Sequence, residues 1–402
     1  MGLPIALMSV VGCYHPRIAP PADKGGVGRW LPADQPKELA PQPMSNENES
    51  LSPASANLPR RPQHILALSG GGMYGAYTAG VLNGWTKSGK RPTFDVVTGI
   101  STGALIGALA FLGPEYDGQM EQFYTTIRRR DIFTYRSWAT VPFRDAVANT
   151  APLRKILDTA ITDEIVVAMA KAHKDGRRLY VGTTNLDTRR FVTWDIGAIA
   201  CRPDVRASRK LIATILVASC SLPGVFPPQP IEVVVNGKKF TELHVDGGVV
   251  APMFLPPSVF DAAVADPNKA ATLQTPAQLY VIQAAKSYAD GSPVESKILP
   301  VLGASAASIM MAQYRREVSN MYHMARVAGV DFRMLALSAE FPTPSNGLDF
   351  DRKEMNKLFD EGYRIASGTQ GPSWWNSPPE RGAGESDPVR TGNRFRAERY
   401  PK

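Results

Sequence analysis

The sequence contains no run of about 18 or more apolar residues, the length a bilayer-crossing helix needs, so no transmembrane span is expected. Cysteine is scarce: Cys13, Cys201 and Cys220 are the three in 402 residues. Their spacing matches no zinc-ligand pattern, and no metal site is expected. An odd count leaves at least one thiol outside any intramolecular disulfide, while Cys201 and Cys220 could pair in an oxidising compartment. Blocks of one charge are missing too. The net charge is +8, but lysine and arginine are scattered, and the longest run, Arg128-Arg129-Arg130, has no interleaved aromatics. Such a run suits a solvated helix face and gives no sign of a nucleic-acid module. What is present is apolar material, 44% of residues, enough for a sizeable core. The length fits one large domain or two ordinary ones, plus tails.

The chain opens on an apolar stretch, Leu3 to Gly12, that ends in Val10-Val11-Gly12-Cys13. This resembles a bacterial lipoprotein signal, in which small residues precede a cysteine that becomes lipidated. The expected basic residue before the apolar stretch is missing, so a plain export signal is the other reading. A lipidated Cys13 would hold the protein at a membrane face of the cell envelope, in the periplasm or outer membrane. Without it, an exported or cytoplasmic protein is expected. Residues 1–12 are thus read as a signal segment and 13–62, rich in Pro, Ala, Asn and Ser, as an extended tether. Residues 63–368 read as one globular domain with its motif core in 63–260, and 369–402, dominated by Pro, Gly and Arg, as a disordered tail.

Within the domain, apolar periodicity predicts strands over His64–Ser69, Phe94–Ile100, Leu179–Thr184, Arg190–Trp194, Lys239–Val245, Leu279–Ala284 and Phe332–Leu337. It predicts helices over Gly75–Lys87, Ala104–Phe111, Leu211–Ser219, Ser305–Ala328 and Asp351–Ser367. Alternating strands and helices argue for an α/β layered fold around a mainly parallel sheet.

Three short motifs punctuate this pattern. Gly99-Ile100-Ser101-Thr102-Gly103 lies between a strand and a helix, where a tight turn can project a serine hydroxyl from the sheet edge. An N-capping serine in a glycine turn is the plainer alternative. Gly70-Gly71-Gly72-Met73-Tyr74-Gly75 also joins strand to helix, and its amides could hold an oxyanion or equally a dinucleotide pyrophosphate. The dinucleotide reading needs an acid at the end of the second strand, whereas Asp95 begins that strand. Asp246-Gly247-Gly248 follows an apolar run and could reach the edge occupied by Ser101, or could be a simple turn.

Taken together, the three motifs resemble those of the patatin-like phospholipases. Ala79-Gly80-Val81-Leu82 and Ala218-Ser219-Cys220-Ser221-Leu222-Pro223-Gly224-Val225-Phe226-Pro227-Pro228 are similar to further segments of that family. The resemblance implies a three-layer fold whose central, mainly parallel sheet is flanked by helices. It also implies a Ser101–Asp246 dyad without histidine. An oxyanion hole of backbone amides at Gly70, Gly71 and Gly72, aided by Thr102, would go with it, framed by Gly75, Gly99, Gly103, Gly247 and Gly248. The implied reaction is hydrolysis of membrane-lipid esters through an acyl-enzyme on Ser101, with no cofactor. The chain departs from the family at Val249-Val250-Ala251-Pro252, where many relatives carry an asparagine before the proline. Two rivals remain open. An α/β-hydrolase triad would recruit His323 or His244, and a lipid-anchored binding protein would carry an inert site. Ile309, Met310 and Met311 could line an acyl channel or simply fill core.

Overall fold

The computed structural model describes residues 31–32, 63–137, 139, 144–235, 238–264, 276–288, 293–343 and 347–377. The signal segment and Cys13, nearly all of the tether, and the tail beyond residue 377 lie outside them. In chain order the strands are β1 (Leu31–Pro32), β2 (His64–Leu68), β3 (Val96–Gly99), β4 (Thr134–Tyr135), β5 (Ala148–Asn149), β6 (Arg178–Asn185), β7 (Arg190–Asp195), β8 (Gln229–Val235), β9 (Lys238–Asp246), β10 (Gln278–Gln283) and β11 (Asp331–Ala336). The helices are α1 (Gly75–Lys87), α2 (Thr102–Leu112), α3 (Asp117–Thr126), α4 (Arg129–Ile132), α5 (Ala151–Ala160), α6 (Asp163–Lys174), α7 (Ile196–Ala200), α8 (Val205–Ser219), α9 (Pro257–Val264), α10 (Ile298–Val327) and α11 (Arg352–Ala366).

One sheet runs in the order β1-β8-β9-β6-β3-β2-β10-β11, with β7 paired to β6 outside this path. From β6 to β11 the neighbours are parallel; β7, β9, β8 and β1 extend the sheet through antiparallel pairings. The parallel strands are apolar along their length because both faces are covered. In β2, Leu66 and Leu68 join the core beneath α1, α2, α6 and α8, while Ile65 and Ala67 join a second core beneath α9 and α10. In β10, Tyr280 and Ile282 face the first core, Leu279 and Val281 the second. Period-two alternation between two cores makes the three layers that the sequence suggested.

Caps and close contacts set the helices. α8 starts at Val205, earlier than periodicity indicates, because the Asp204 carboxylate accepts the Ala207 N–H at 3.0 Å. Asp351 caps α11 in the same way, accepting from Lys353 at 2.9 Å and Glu354 at 3.1 Å. α1 and α11 touch backbone to backbone: a methyl group on Gly80 would sit 2.0 Å from the Phe359 carbonyl oxygen, and one on Gly362 would sit 2.2 Å from that of Tyr77. Glycine is therefore required there by approach distance.

Three boundaries differ from expectation. Leu31–Pro32, inside the segment read as a tether, pairs with β8 as an edge strand. The chain stays packed past residue 368: Trp374 stacks edge-on against Trp85 with ring centres 5.0 Å apart, and Trp375 exchanges two backbone hydrogen bonds with Met334. α10 begins at Ile298 instead of Ser305.

Candidate active site

Ser101, Asp246 and the glycine loop meet at one sheet edge, and strand register explains why. Gly99 of β3 is level with Val181 of β6, so Ser101 is level with Thr183, and Thr183 pairs with Asp246 of β9. Serine and aspartate thus sit at the same height with one strand between them. Ser101 closes the gap by leaving β3 sharply, with φ 54° and ψ −127°. That conformation is unusual for a residue with a side chain and costs on the order of 1–3 kcal/mol. The serine is not an N-cap in the ordinary sense, since its hydroxyl makes no capping bond to α2. Instead the Ser101 side chain lies beside the Asp246 carboxylate, close enough to lower its pKa, and beside the Cys220 thiol. Gly99 and Gly103 allow the turn: a methyl group on Gly99 would lie 2.2 Å from the Gly103 oxygen, and one on Gly103 2.4 Å from the Ser69 oxygen.

Asp246 is buried, and burial lifts its pKa from 3.8 to about 6. The Gly248 N–H, donating at 2.8 Å, and the Ser101 hydroxyl oppose that rise. Gly247 lies so close to β6 that a methyl group would stand 2.8 Å from the Gly182 oxygen. A carboxylate with a pKa near 6 is a better proton acceptor than an exposed aspartate.

The glycine loop lies against the serine. A methyl group on Gly70 would sit 3.2 Å from Ser101 Cβ. The Gly70 N–H is already committed to the Pro252 carbonyl at 3.1 Å, so it is not free to hold an oxyanion. Its carbonyl accepts from Tyr314 at 2.7 Å and from Ser69 at 2.8 Å. The N–H groups of Gly71 and Gly72 donate to no acceptor among the described residues, and neither does that of Thr102 at the start of α2. The Thr102 side chain turns inward, sharing a short hydrogen bond with the buried Tyr124 hydroxyl, so only its amide can serve. Gly75 brings α1 against it: a methyl group there would be 2.2 Å from Thr102 Oγ1.

Ser219, the last residue of α8, and Ser221, two residues on, hold the pair in place. Ser219 Oγ accepts the Ser101 N–H at 2.9 Å and donates to the Gly182 carbonyl at 2.8 Å. The Ser221 carbonyl accepts the Asp246 N–H at 2.9 Å. Sequence reasoning noted this segment only as a family likeness. Tyr314, which reaches in from α10, carried no local signal.

The other candidates are accounted for. His323 is exposed on α10 and packs on Tyr322. It is nine residues beyond Tyr314, so it faces the opposite side of the helix. His244 is fully buried, with Nδ1 3.0 Å from Thr183 Oγ1 and Nε2 2.9 Å from Glu242 Oε2. Both its nitrogens are engaged away from Ser101, so neither histidine completes a triad. Asp95 accepts from the Gln63 and His64 amides at 2.8 and 3.0 Å, at the sheet edge away from Ser101. Cys201 and Cys220 are free thiols, and burial pushes both pKa values up. Ile309 and Met310 are exposed, so they neither fill core nor line a closed channel, whereas Met311 is partly buried and packs against the second core. Among the described residues no group of three or more His, Cys, Asp or Glu could hold a metal ion.

Residues 66–257 match the family described as patatin-like phospholipase, a span that begins in β2 and ends at the start of α9. This segment is similar to the patatin-like phospholipase domain. It contains all three motifs, with Ser101 and Asp246 both inside it. Two solved structures are similar in outline. VipD from Legionella pneumophila is 12% identical, with a TM-score of 0.37, covering 75% of this chain and 67% of VipD. The human GIVD cytosolic phospholipase A2 is 11% identical, with a TM-score of 0.28, covering 75% of this chain and 51% of the human protein. The chain therefore spans about half the length of the human enzyme. No curated protein matches it in sequence.

Proposed function

We propose that the protein is a serine lipid acyl hydrolase that cleaves carboxylic esters of membrane lipids, as a phospholipase A or lysophospholipase does. The observation that carries this reading is the strand register that puts Ser101, on its tight elbow, level with the buried Asp246 carboxylate beside the glycine loop. In the proposed mechanism Asp246 takes the Ser101 proton as Oγ attacks the ester carbonyl carbon. The carbonyl oxygen becomes an oxyanion, held by the amides of Gly71 and Gly72 and by that of Thr102 at the positive end of α2. Collapse expels the alcohol of the lipid, which takes the proton back from Asp246, and leaves the acyl group on Ser101. Water, deprotonated by Asp246, then attacks the acyl-enzyme and releases the fatty acid. Binding through Gly71 and Gly72 rather than Gly70 follows from the bond between Gly70 and Pro252.

Fluorophosphonate labelling, paired with analysis of products from phospholipid and lysophospholipid, tests the reading. Wild type is expected to label and to release free fatty acid, and Ser101→Ala to do neither. A folded wild type that neither labels nor hydrolyses would favour the lipid-binding alternative. Loss of activity in His323→Ala would restore the triad. Lipidation at Cys13 would bring the enzyme to its substrate, and incorporation of an alkynyl fatty acid that is lost in Cys13→Ser tests that attachment.

A further inference from the structure

Helix α10 changes character at Tyr314. Toward its C-terminus, Tyr314, Val318, Met321 and Ala325 are buried on one face against the sheet. From Ile298 to Gln313 none of the described side chains is buried. Of the partly covered ones, Pro300, Ala304 and Met311 continue the face that Tyr314 belongs to, and Gln313 lies to one side of it. At about 100° per residue, Ile298, Val301, Leu302 and Ile309 fall on the opposite side. They are 79%, 47%, 60% and 62% exposed. An ordinary surface helix turns such residues inward. Here the bulky branched side chains point to solvent.

We propose that the outer half of α10 is an interfacial anchor, which lays Ile298, Val301, Leu302 and Ile309 into the surface of a membrane containing anionic lipid. The proposal rests on the lipid-hydrolase reading and names where that site meets its substrate. Charge supports this occupant. No charged residue lies between Ile298 and Tyr314, and Arg315 and Arg316 follow at once. Arg315 lies over the Tyr288 ring at 5.1 Å and has no carboxylate partner among the described residues. Arg316 is 3.7 Å from Glu317, while Lys297, at the other end, pairs with Glu295 at 2.7 Å. A net charge of +8 favours the same surface. No helix among the described residues is long and apolar enough to cross a membrane, which fits a segment lying in the interface. Position supports it as well. Tyr314 donates to the Gly70 carbonyl beside Ser101, and Ile309 is only about 8 Å back along the same helix axis. Because Ile309 faces away from Tyr314, a lipid surface seated on this face lies one helix diameter, ~10 Å, from the glycine loop.

The test uses full-length Ser101→Ala protein and vesicles of equal parts phosphatidylcholine and phosphatidylglycerol. Adding Leu302→Asp and Ile309→Asp is expected to weaken vesicle binding by on the order of 100-fold, with thermal unfolding unchanged. Val327→Asp, at the far end of α10 and 89% exposed, is expected to bind as its parent does. With Ser101 restored, the double variant should keep hydrolysis of a soluble short-chain ester and lose hydrolysis of vesicle lipid. Ile309→Ser, expected to weaken binding by several-fold, keeps the test open if the double variant fails to fold. Vesicle binding that is absent in the parent or unaffected by these changes overturns the anchor. So does a dimer that Leu302→Asp and Ile309→Asp dissociates while leaving vesicle binding intact. If wild type neither labels nor cleaves soluble ester, the hydrolase reading fails, and vesicle binding by Ser101→Ala still decides the anchor.

Discussion

The parallel and antiparallel halves of the sheet bring different things to the same edge. In the parallel half, β2 and β3 end in glycine turns and present backbone: free amides at Gly71, Gly72 and Thr102, and a serine on a tight elbow. In the antiparallel half, β9 presents a side chain, and what matters there is its environment. Burial raises Asp246 to a pKa of about 6, against one amide and one hydroxyl that pull it down. Amide donors need only the right turn. A carboxylate base needs a pocket that makes its charge uncomfortable, and that discomfort has a measurable cost.

The sharpest way to break the contrast is Asp246→Asn. If the antiparallel half supplies the base, kcat should fall by about 1,000-fold or more, as when an essential proton acceptor is lost elsewhere. The same change should stabilise the fold at pH 8. A folded pKa of about 6 against an unfolded value near 3.8 means that burying the carboxylate is unfavourable above pH 6. That penalty fades as pH falls from about 6 towards 3.8. Its removal is worth roughly 2–3 kcal/mol at pH 8, which would appear as a higher Tm. A variant both inactive and less stable would contradict this account of the base.

Ser219→Ala addresses the parallel half. It removes the acceptor of the Ser101 N–H and frees the elbow, so kcat should drop by about 10- to 100-fold with little change in KM for a soluble ester. The pH profile separates the two halves without mutation. kcat/KM should be flat above about pH 6.5 and fall about tenfold per pH unit well below 6, as Asp246 takes up its proton. An inflection that instead disappears in His323→Ala would point to histidine. The smallest effect is expected for Tyr314→Phe. The Gly70 carbonyl keeps its bond from Ser69, so the loss is one buried hydrogen bond, about 1 kcal/mol, or several-fold in kcat.

The layered fold and the motif residues were legible in the sequence because their signals are local. Val96 to Gly99 is buried on both faces and reads as an apolar run, and the glycines around Ser101 mark a turn whatever surrounds it. What was not legible depends on distant partners. Nothing local to Tyr314 says that its hydroxyl reaches Gly70, 244 positions away in the chain. The early start of α10 was missed because Ile298 to Ala304 shows no inward-facing periodicity, the very property that sets that segment apart. Trp374 and Trp375 sit in a stretch whose Pro and Gly content reads as tail, and their packing against Trp85 and Met334 overrides it. His244 sits two residues before Asp246 on the same strand face, yet Thr183 and Glu242 occupy its ring nitrogens.

The end of α8 has one more consequence. Ser101 and Asp246 come from segments far apart in the chain, and each hangs from a residue of the same three-residue stretch, one through Ser219 and the other through Ser221. When the layers breathe against each other, a displacement of that stretch carries both partners in the same direction, and their separation changes less than the position of either. Hung in this way from one stretch, Ser101 and Asp246 form a suspended unit, and on the proposed mechanism that would shield their separation from motions of the surrounding frame.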